Sequence, residues 1–324
     1  RSTRQSTLFP YTTLFRSAQF AGGVVMPNLV QPVDSLERLR HYRQQILTAC
    51  GDEPFTPLMT LFFRDYSREE LLAAKDEIIG LKLYPAGITT QSEGGVQDFD
   101  RIGDTVALLE ELDIPLLVHG ETSGFVMDRE EEFLTVYQWL AENFPRLRLV
   151  MEHITTAAAV EFLQRHDNVA ATVTLHHLMI TLDDVAGGLL QPDLFCKPIA
   201  KTPRDREALR QAVFAGHPRL FFGSDSAPHP RHKKECCGCA AGVFSAPVAL
   251  PMLAQLFAEN NCLERLQPFV ADLGRGFYRL NLPPKKVVLE DQPWQVPEQY
   301  ETLRSFLAGE TLAWRMKIPT TNNR

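Results

Sequence analysis

The sequence predicts an α/β protein, a (β/α)8 barrel of the TIM type whose first strand is missing from the chain. Three observations carry this prediction. Short apolar, β-branched runs alternate seven times with amphipathic helical segments and never form a series of hairpins, the pattern of a parallel sheet with helices outside it. Asn28, Lys82, His119, His153 and Asp225 each fall at or just past the C-terminal end of a different run, the rim on which barrel active sites are built. Seven units are one short of closure, and the absent strand belongs before Ala18.

Residues 1–17, RSTRQSTLFPYTTLFRS, have neither helical nor strand period and repeat Thr-Leu-Phe at Thr7 and Thr13. Thr7 to Ser17 resembles the conceptual translation of a short-read sequencing adapter, so the segment is expected to be non-native and is set apart from the fold. Leu8-Phe9 and Leu14-Phe15 are not expected to fill the gap in the barrel.

From Ala18 the elements follow in order. Gly22 to Met26 reads as a strand ending at Pro27-Asn28, and Asp34-Ser-Leu-Glu37 reads as a capping box opening a helix to about Thr48. Thr56 to Phe62 is the next strand, with Ser67 capping the helix behind it. Ile78 to Tyr84 is a strand carrying Lys82, followed by a Gly- and Thr-rich loop from Pro85 to Val96 and a helix from about Phe99 to Leu112. Pro115 to Val118 ends in His119, with a helix from about Arg129 to Asn143. Leu147 to Glu152 ends in His153, and Thr155 or Thr156 caps a helix to about His166. Val169 to Thr174 is the sixth strand, and Arg219-Leu-Phe-Phe-Gly223 delivers Asp225 into a loop carrying His229 and His232.

Composition bounds the function. An apolar content of 44% supports a sizeable core, and a net charge of −7 without a basic block offers nucleic acid or an anionic membrane no electrostatic footing. Ala240 to Phe257 is the longest weakly polar run, but Ser245, Pro247 and Pro251 break it, so it reads as a loop and a buried helix rather than a membrane span. No signal peptide is recognised. The six cysteines are too few for a disulfide scaffold at this length, and Cys236, Cys237 and Cys239 lie nearly adjacent, which suits reduced thiols in the cytoplasm. With His232 they could hold a structural zinc, although their spacing matches no standard zinc pattern.

Each rim residue has a plain structural alternative: Lys82 as a snorkelling lysine, His119 as a hydrogen-bonded histidine, His153 as the neighbour of a helix cap, Asn28 as a turn residue. Their convergence on one rim argues for hydrolytic metal chemistry, which needs imidazoles beside a carboxylate that can also carry a proton. His176 and His177 read as structural.

The stretches MPN at Met26, KLYPAGITT at Lys82, LLVHGE at Leu116, MEHITT at Met151 and GSDSAPHPRHKKE at Gly223 closely resemble the dihydroorotases of the amidohydrolase superfamily, in the form related to the enterobacterial enzyme. The resemblance runs from about Gly22 to the tail FLAGETLAW (Phe306 to Trp314), so residues 18–324 are expected to be one barrel domain with a C-terminal extension. It implies reversible cyclisation of N-carbamoyl-L-aspartate to L-dihydroorotate, two zinc ions per subunit and a homodimer. Lys82 matches the lysine carboxylated by carbon dioxide to bridge both ions. His119 and His153 match the ligands of the more exposed zinc. Asp225 matches the ligand of the other zinc and the proton shuttle. Asn28 and His229 match residues that grip the substrate carboxylate, Thr89 and Thr90 a pair on a closing lid, and Ala241 a loop amide that touches substrate.

The chain departs from that family at its start. The His-x-His-x-Arg motif of the family's first strand, which supplies two further ligands and an arginine for the substrate carboxylate, is absent, and the first histidine is His41, inside the first helix. Little or no activity is therefore expected of the chain as written, with two barrel edges left unpaired. A hydantoinase or allantoinase relative would share the two-zinc site but leaves DSAPHPRHKKE and the PAGITT lid unexplained. A non-catalytic, dihydroorotase-like scaffold is the remaining alternative, and it has no chemical need for Lys82, His119, His153 and Asp225 together.

Overall fold

The computed structural model describes residues 15–317. Seven parallel strands form one curled sheet: β1 (Gly22–Val25), β2 (Thr56–Phe62), β3 (Gly80–Leu83), β4 (Leu116–Val118), β5 (Leu149–Met151), β6 (Val169–Val173) and β7 (Leu220–Phe222), each paired with the next in sequence. Helices α1 (Leu36–Cys50), α2 (Arg68–Ala74), α3 (Gly103–Leu112), α4 (Arg129–Asn143) and α5 (Ala157–Arg165) fill the first crossovers. Two short helices, α6 (Leu175–Met179) and α7 (Leu182–Ala186), precede α8 (Pro203–Ala215); α9 (Arg231–Lys234), α10 (Ala249–Glu259) and α11 (Leu273–Tyr278) follow β7. The architecture is a TIM-type barrel short of one strand among the described residues, with β1 and β7 as its edges. No helix among them is long and apolar enough to cross a membrane.

Strand periodicity decides what reaches the rim. Successive side chains alternate faces, and Leu81, Leu83, Leu116, Val118, Leu149 and Met151 pack outward in the large core shared with the helices. The opposite parity, Leu117, Val150, Ala170 and Phe221, forms a smaller interior cluster with Tyr278. Lys82 pairs in register with Leu117 and so points inward. Two residues beyond Leu117, Val150, Ala170 and Phe221 stand His119, Glu152, Thr172 and Gly223, so one parity carries the whole interior lining up to the rim.

Local signals behave largely as their chemistry requires. Ser67 and Glu70 make the reciprocal capping box of α2, and Thr156 caps α5. At α1 the cap is Ser35, accepting from Arg38 N, one residue later than expected, because Asp34 is drawn into an ion pair with Arg38 at 2.7 Å. The helix expected from Phe99 splits at Ile102 into a 3-10 turn and α3, as Asp98 caps only the turn through Asp100 N. An antiparallel pair, β8 (Leu289–Gln295) with β9 (Thr311–Met316), was not anticipated: Pro293 and four acidic or amide residues erase the alternation in LEDQPWQ, and the ladder shifts register between Asp291 and Trp294. It docks on α10 through Ala313 N donating to Gln255 Oε1 at 3.0 Å.

No strand precedes Gly22 among the described residues; 15–19 are helical. Leu8, Phe9 and Leu14 lie outside the described residues. Phe15, by contrast, does pack, edge-on to Tyr300 and Phe244 with centroids 4.8 and 5.8 Å away. Buried Gln19 donates to Ala246 O at 2.7 Å and accepts from Leu250 N at 3.2 Å.

Candidate active site and metal centre

A cavity of about 1040 Å³ opens at the C-terminal ends of the strands, and all nine residues singled out from the sequence line it. Lys82, His119, His153 and Asp225 form its floor, Asn28 and His229 its sides, and Thr89, Thr90 and Ala241 its loops.

The imidazole pair is set from outside. His119 Nε2 donates to Glu121 at 2.8 Å, which places the ring lone pair on Nδ1, and Nδ1 lies 3.1 Å from His153 Nε2. Burial holds His119 below its ordinary pKa despite Glu121 and pushes His153 well below, so both rings are neutral. Burial alone raises the Glu121 carboxyl, but His119, Lys201 and Arg129 bring it below its usual value, so the negative charge of the pair sits on Glu121. Gly120 between them is required by a close approach: a Cβ there would meet Tyr137 Oη at 2.4 Å. His153 has φ +43 and Asp225 φ +36, so the two side chains that enter the cavity from strand-end turns both sit in left-handed backbone. His153 N is tied to Thr172 Oγ1 at 2.7 Å, and Thr172 donates in turn to Glu152 at 2.6 Å.

Lys82 is 1% exposed and its Nζ has no hydrogen-bond partner. Burial lowers its pKa to about 8, with Glu152 and Asp225 opposing. Asp225, whose side chain stays open to the cavity, moves the other way: desolvation by the surrounding strand ends raises it to about 7, Lys82 resists, and Glu152 adds to the rise. A poised acid, open to the cavity, and a partly neutral, buried amine thus share one floor. Two nitrogens bound to one tetrahedral zinc at about 2.0–2.1 Å stand roughly 3.3 Å apart, so the His119–His153 pair has the separation of ligands on one ion. His153 Nδ1 lacks a partner as well.

At the other end, Asn28 accepts from Tyr84 OH at 2.9 Å and donates to Thr90 O at 2.9 Å, joining the strand end to the Thr89-Thr90 loop. His229 Nε2 donates to Ala241 O at 3.0 Å. Arg16 also enters the cavity: its guanidinium hydrogen-bonds Ser226 O and bears electrostatically on Asp225. The amidohydrolase family profile matches residues 48–251. A dihydroorotase of Halorhodospira halophila is 44% identical over 317 residues, covering 94% of this chain and 92% of that protein. The chain belongs to the dihydroorotases of the amidohydrolase family.

A crystal structure of dihydroorotase from Campylobacter jejuni superposes with a TM-score of 0.91 at 51% identity, over 95% of this chain and 92% of that one. An L-hydantoinase of Arthrobacter aurescens reaches TM-score 0.75 at 17% identity over 95% and 76% of the two chains, a likeness of fold alone.

Several residues of this dihydroorotase site were not singled out from the sequence. Glu121 had a signal, an acid two residues past a strand-end histidine. Glu152, Thr172 and Tyr84 had none, since their roles depend on strands that meet only in the fold. His176 and His177 are fully buried with Cys196, their ligand-type atoms within 4.8 Å of one another. The His177 ring is already used, with Nε2 3.0 Å from Pro198 O and Nδ1 2.9 Å from the Thr174 hydroxyl, which fits a structural part. His232 and Cys236, Cys237 and Cys239 form no metal-sized cluster among the described residues: the loop leaves His232, Cys236 and Cys237 facing solvent, and Cys239 turns toward Pro192 O.

Proposed function

We propose that this site performs the zinc-dependent, reversible cyclisation of N-carbamoyl-L-aspartate to L-dihydroorotate, and that the chain as written lacks one of the two metal positions. The observation that carries the reading is Lys82 Nζ, buried and without a partner close to two buried imidazoles and to the Asp225 carboxylate, which is open to the cavity. An amine adds carbon dioxide only when uncharged, and a pKa of about 8 leaves a usable neutral fraction near neutral pH. The resulting carbamate is an anionic, two-oxygen ligand.

The residues fit one metal position and not the other. His119 Nδ1, His153 Nε2 and a carboxylated Lys82 make a sound set for one zinc, with Glu121 fixing the tautomer of His119. On the far side Asp225 has no imidazole companion among the described residues, and Arg16 brings a positive charge instead. When bound, zinc supplies carbonyl polarisation and an acidified water.

The protein groups do the rest. Asp225, with a pKa of about 7, takes a proton from water and returns it to the amide nitrogen in hydrolysis, and runs the reverse in cyclisation. His229 and Asn28 hold the substrate carboxylate, the Ala241 N–H adds a donor, and Thr89 and Thr90 close over the ring. The second position lost, little or no turnover is the expected state of this chain. Six free cysteines support a reducing, cytoplasmic location, and the protein is read as a homodimer. Residues 1–17 are read as non-native.

The test is carbon-13 NMR of the protein incubated with zinc and labelled bicarbonate, read beside zinc content. A carbamate signal that Lys82→Ala abolishes, with about one zinc per chain, supports the reading. Absence of both signal and zinc supports the non-catalytic scaffold instead.

A further inference from the structure

We propose that Lys234 is a positioning residue that aims the Ala241 N–H into the anion-binding end of the cavity; the inference rests on the reading that this amide meets the substrate carboxylate. Lys234 ends α9 and is 2% exposed, an unusual place for a lysine. Its ammonium has three protons, and three carbonyls receive them: Phe195 O at 3.0 Å, Ala240 O at 2.8 Å and Gly242 O at 2.9 Å. No carboxylate pairs with it among the described residues.

The consequence follows from peptide planarity. In a trans peptide the C=O of one residue and the N–H of the next point in opposite directions. With Ala240 O turned to Lys234, the Ala241 N–H points away from Lys234. The cavity lies on that side, since Ala241 and Gly242 line it while Lys234 and Ala240 do not. Ala241 O is held separately by His229. The loop has little room to turn: Gly242 N donates to Phe195 O at 2.9 Å, and with φ +151 a Cβ there would lie 2.3 Å from Ala227 O. The 240–242 loop is clamped between Lys234 on one side and the Ala227–His229 turn on the other. Lys234 also leaves a buried cation, paired only with dipoles, behind the site where an anion is to bind.

The experiment compares the full chain with Lys234→Met and Lys234→Gln, reading hydrogen exchange of the Ala241 amide by NMR with nitrogen-15 alanine and affinity for two ligands, L-dihydroorotate and dihydrouracil, which lacks the carboxylate. Lys234→Met is expected to speed Ala241 exchange and weaken dihydroorotate about tenfold, leaving dihydrouracil unchanged. Lys234→Gln keeps two N–H donors and falls between, and it carries the test if the methionine variant does not fold. An unchanged Ala241 amide with dihydroorotate affinity within about twofold overturns the inference. So does an equal loss for both ligands, which marks general damage. If the unaltered chain binds no dihydroorotate, the functional reading fails, and Ala241 exchange alone decides: faster in the variants sustains the positioning, unchanged overturns it.

Discussion

Replacing Asp225 with asparagine is predicted to stabilise the metal-free protein above neutral pH while removing the proton shuttle. In the folded state desolvation at the strand ends lifts the Asp225 carboxyl from 3.8 to about 7, against the pull of Lys82, although the residue is open to the cavity. Between those values the unfolded chain has released its proton and the folded chain has not, so rising pH favours unfolding. A fully desolvated shift is worth about 1.4 kcal/mol per unit, but Asp225 is exposed to the cavity and solvent screens it, so the penalty grows from nothing below about pH 4 to roughly 1 kcal/mol above pH 7. Asparagine has the shape of the protonated acid and pays no such penalty. Urea denaturation after chelation, at about pH 4, 5.5 and 8, measures the difference as a midpoint shift at constant slope. The two proteins should coincide at the lowest pH and diverge upward, with Asp225→Asn the more stable. Parallel profiles across the range would refute the claim that the fold raises the pKa of this carboxyl.

Other perturbations probe neighbouring claims. Glu121→Gln frees the tautomer of His119 and should weaken zinc binding roughly 10- to 100-fold, read by competition with a chelating dye. Glu130, buried, accepts from the N–H and hydroxyl of both Thr155 and Thr156 just past His153; Glu130→Ala should cost about 3 kcal/mol or more, read by denaturation. His176 is fully buried with neither ring nitrogen bonded, so His176→Leu should be neutral or stabilising in a thermal melt. Carbamate formation on Lys82 should speed up as pH rises and level off above about 8, the value to which burial brings its amine, followed by labelled bicarbonate uptake.

The parallel sheet and the site on its rim were legible because both rest on local, repeated signals. Strand parity carries Lys82 and His119 to one side, and the turn residues after each strand, Asp225 among them, are explicit in the sequence. Strand lengths were less legible: Leu149–Met151 is shorter than the run Leu147 to Glu152, because buried, apolar Leu147 bonds back to Phe144 O and Glu152 keeps only its N–H bond to Val118 O as the chain turns. The β8–β9 pair was invisible since its register breaks at Pro293 and its stability comes from docking on α10. The partners that tune the site stayed hidden for a related reason. Glu152 acts on Lys82 and Asp225, and Lys234 on residues 195, 240 and 242, through contacts between distant segments that no periodicity records. Nor could composition anticipate that Phe15, Arg16 and Gln19 dock on the barrel, since their contacts are with residues more than two hundred positions away.

The most direct test of the account is cyclisation of carbamoyl aspartate with zinc, measured side by side on this chain and on one in which residues 1–17 are replaced by a strand bearing His-x-His-x-Arg. The account predicts turnover by the second protein and activity near background for the first, because Lys82, His119, His153 and Asp225 line the cavity while the ligands beside Asp225 and the arginine for the substrate carboxylate are missing. Equal turnover by both would contradict it, as would silence from the repaired chain.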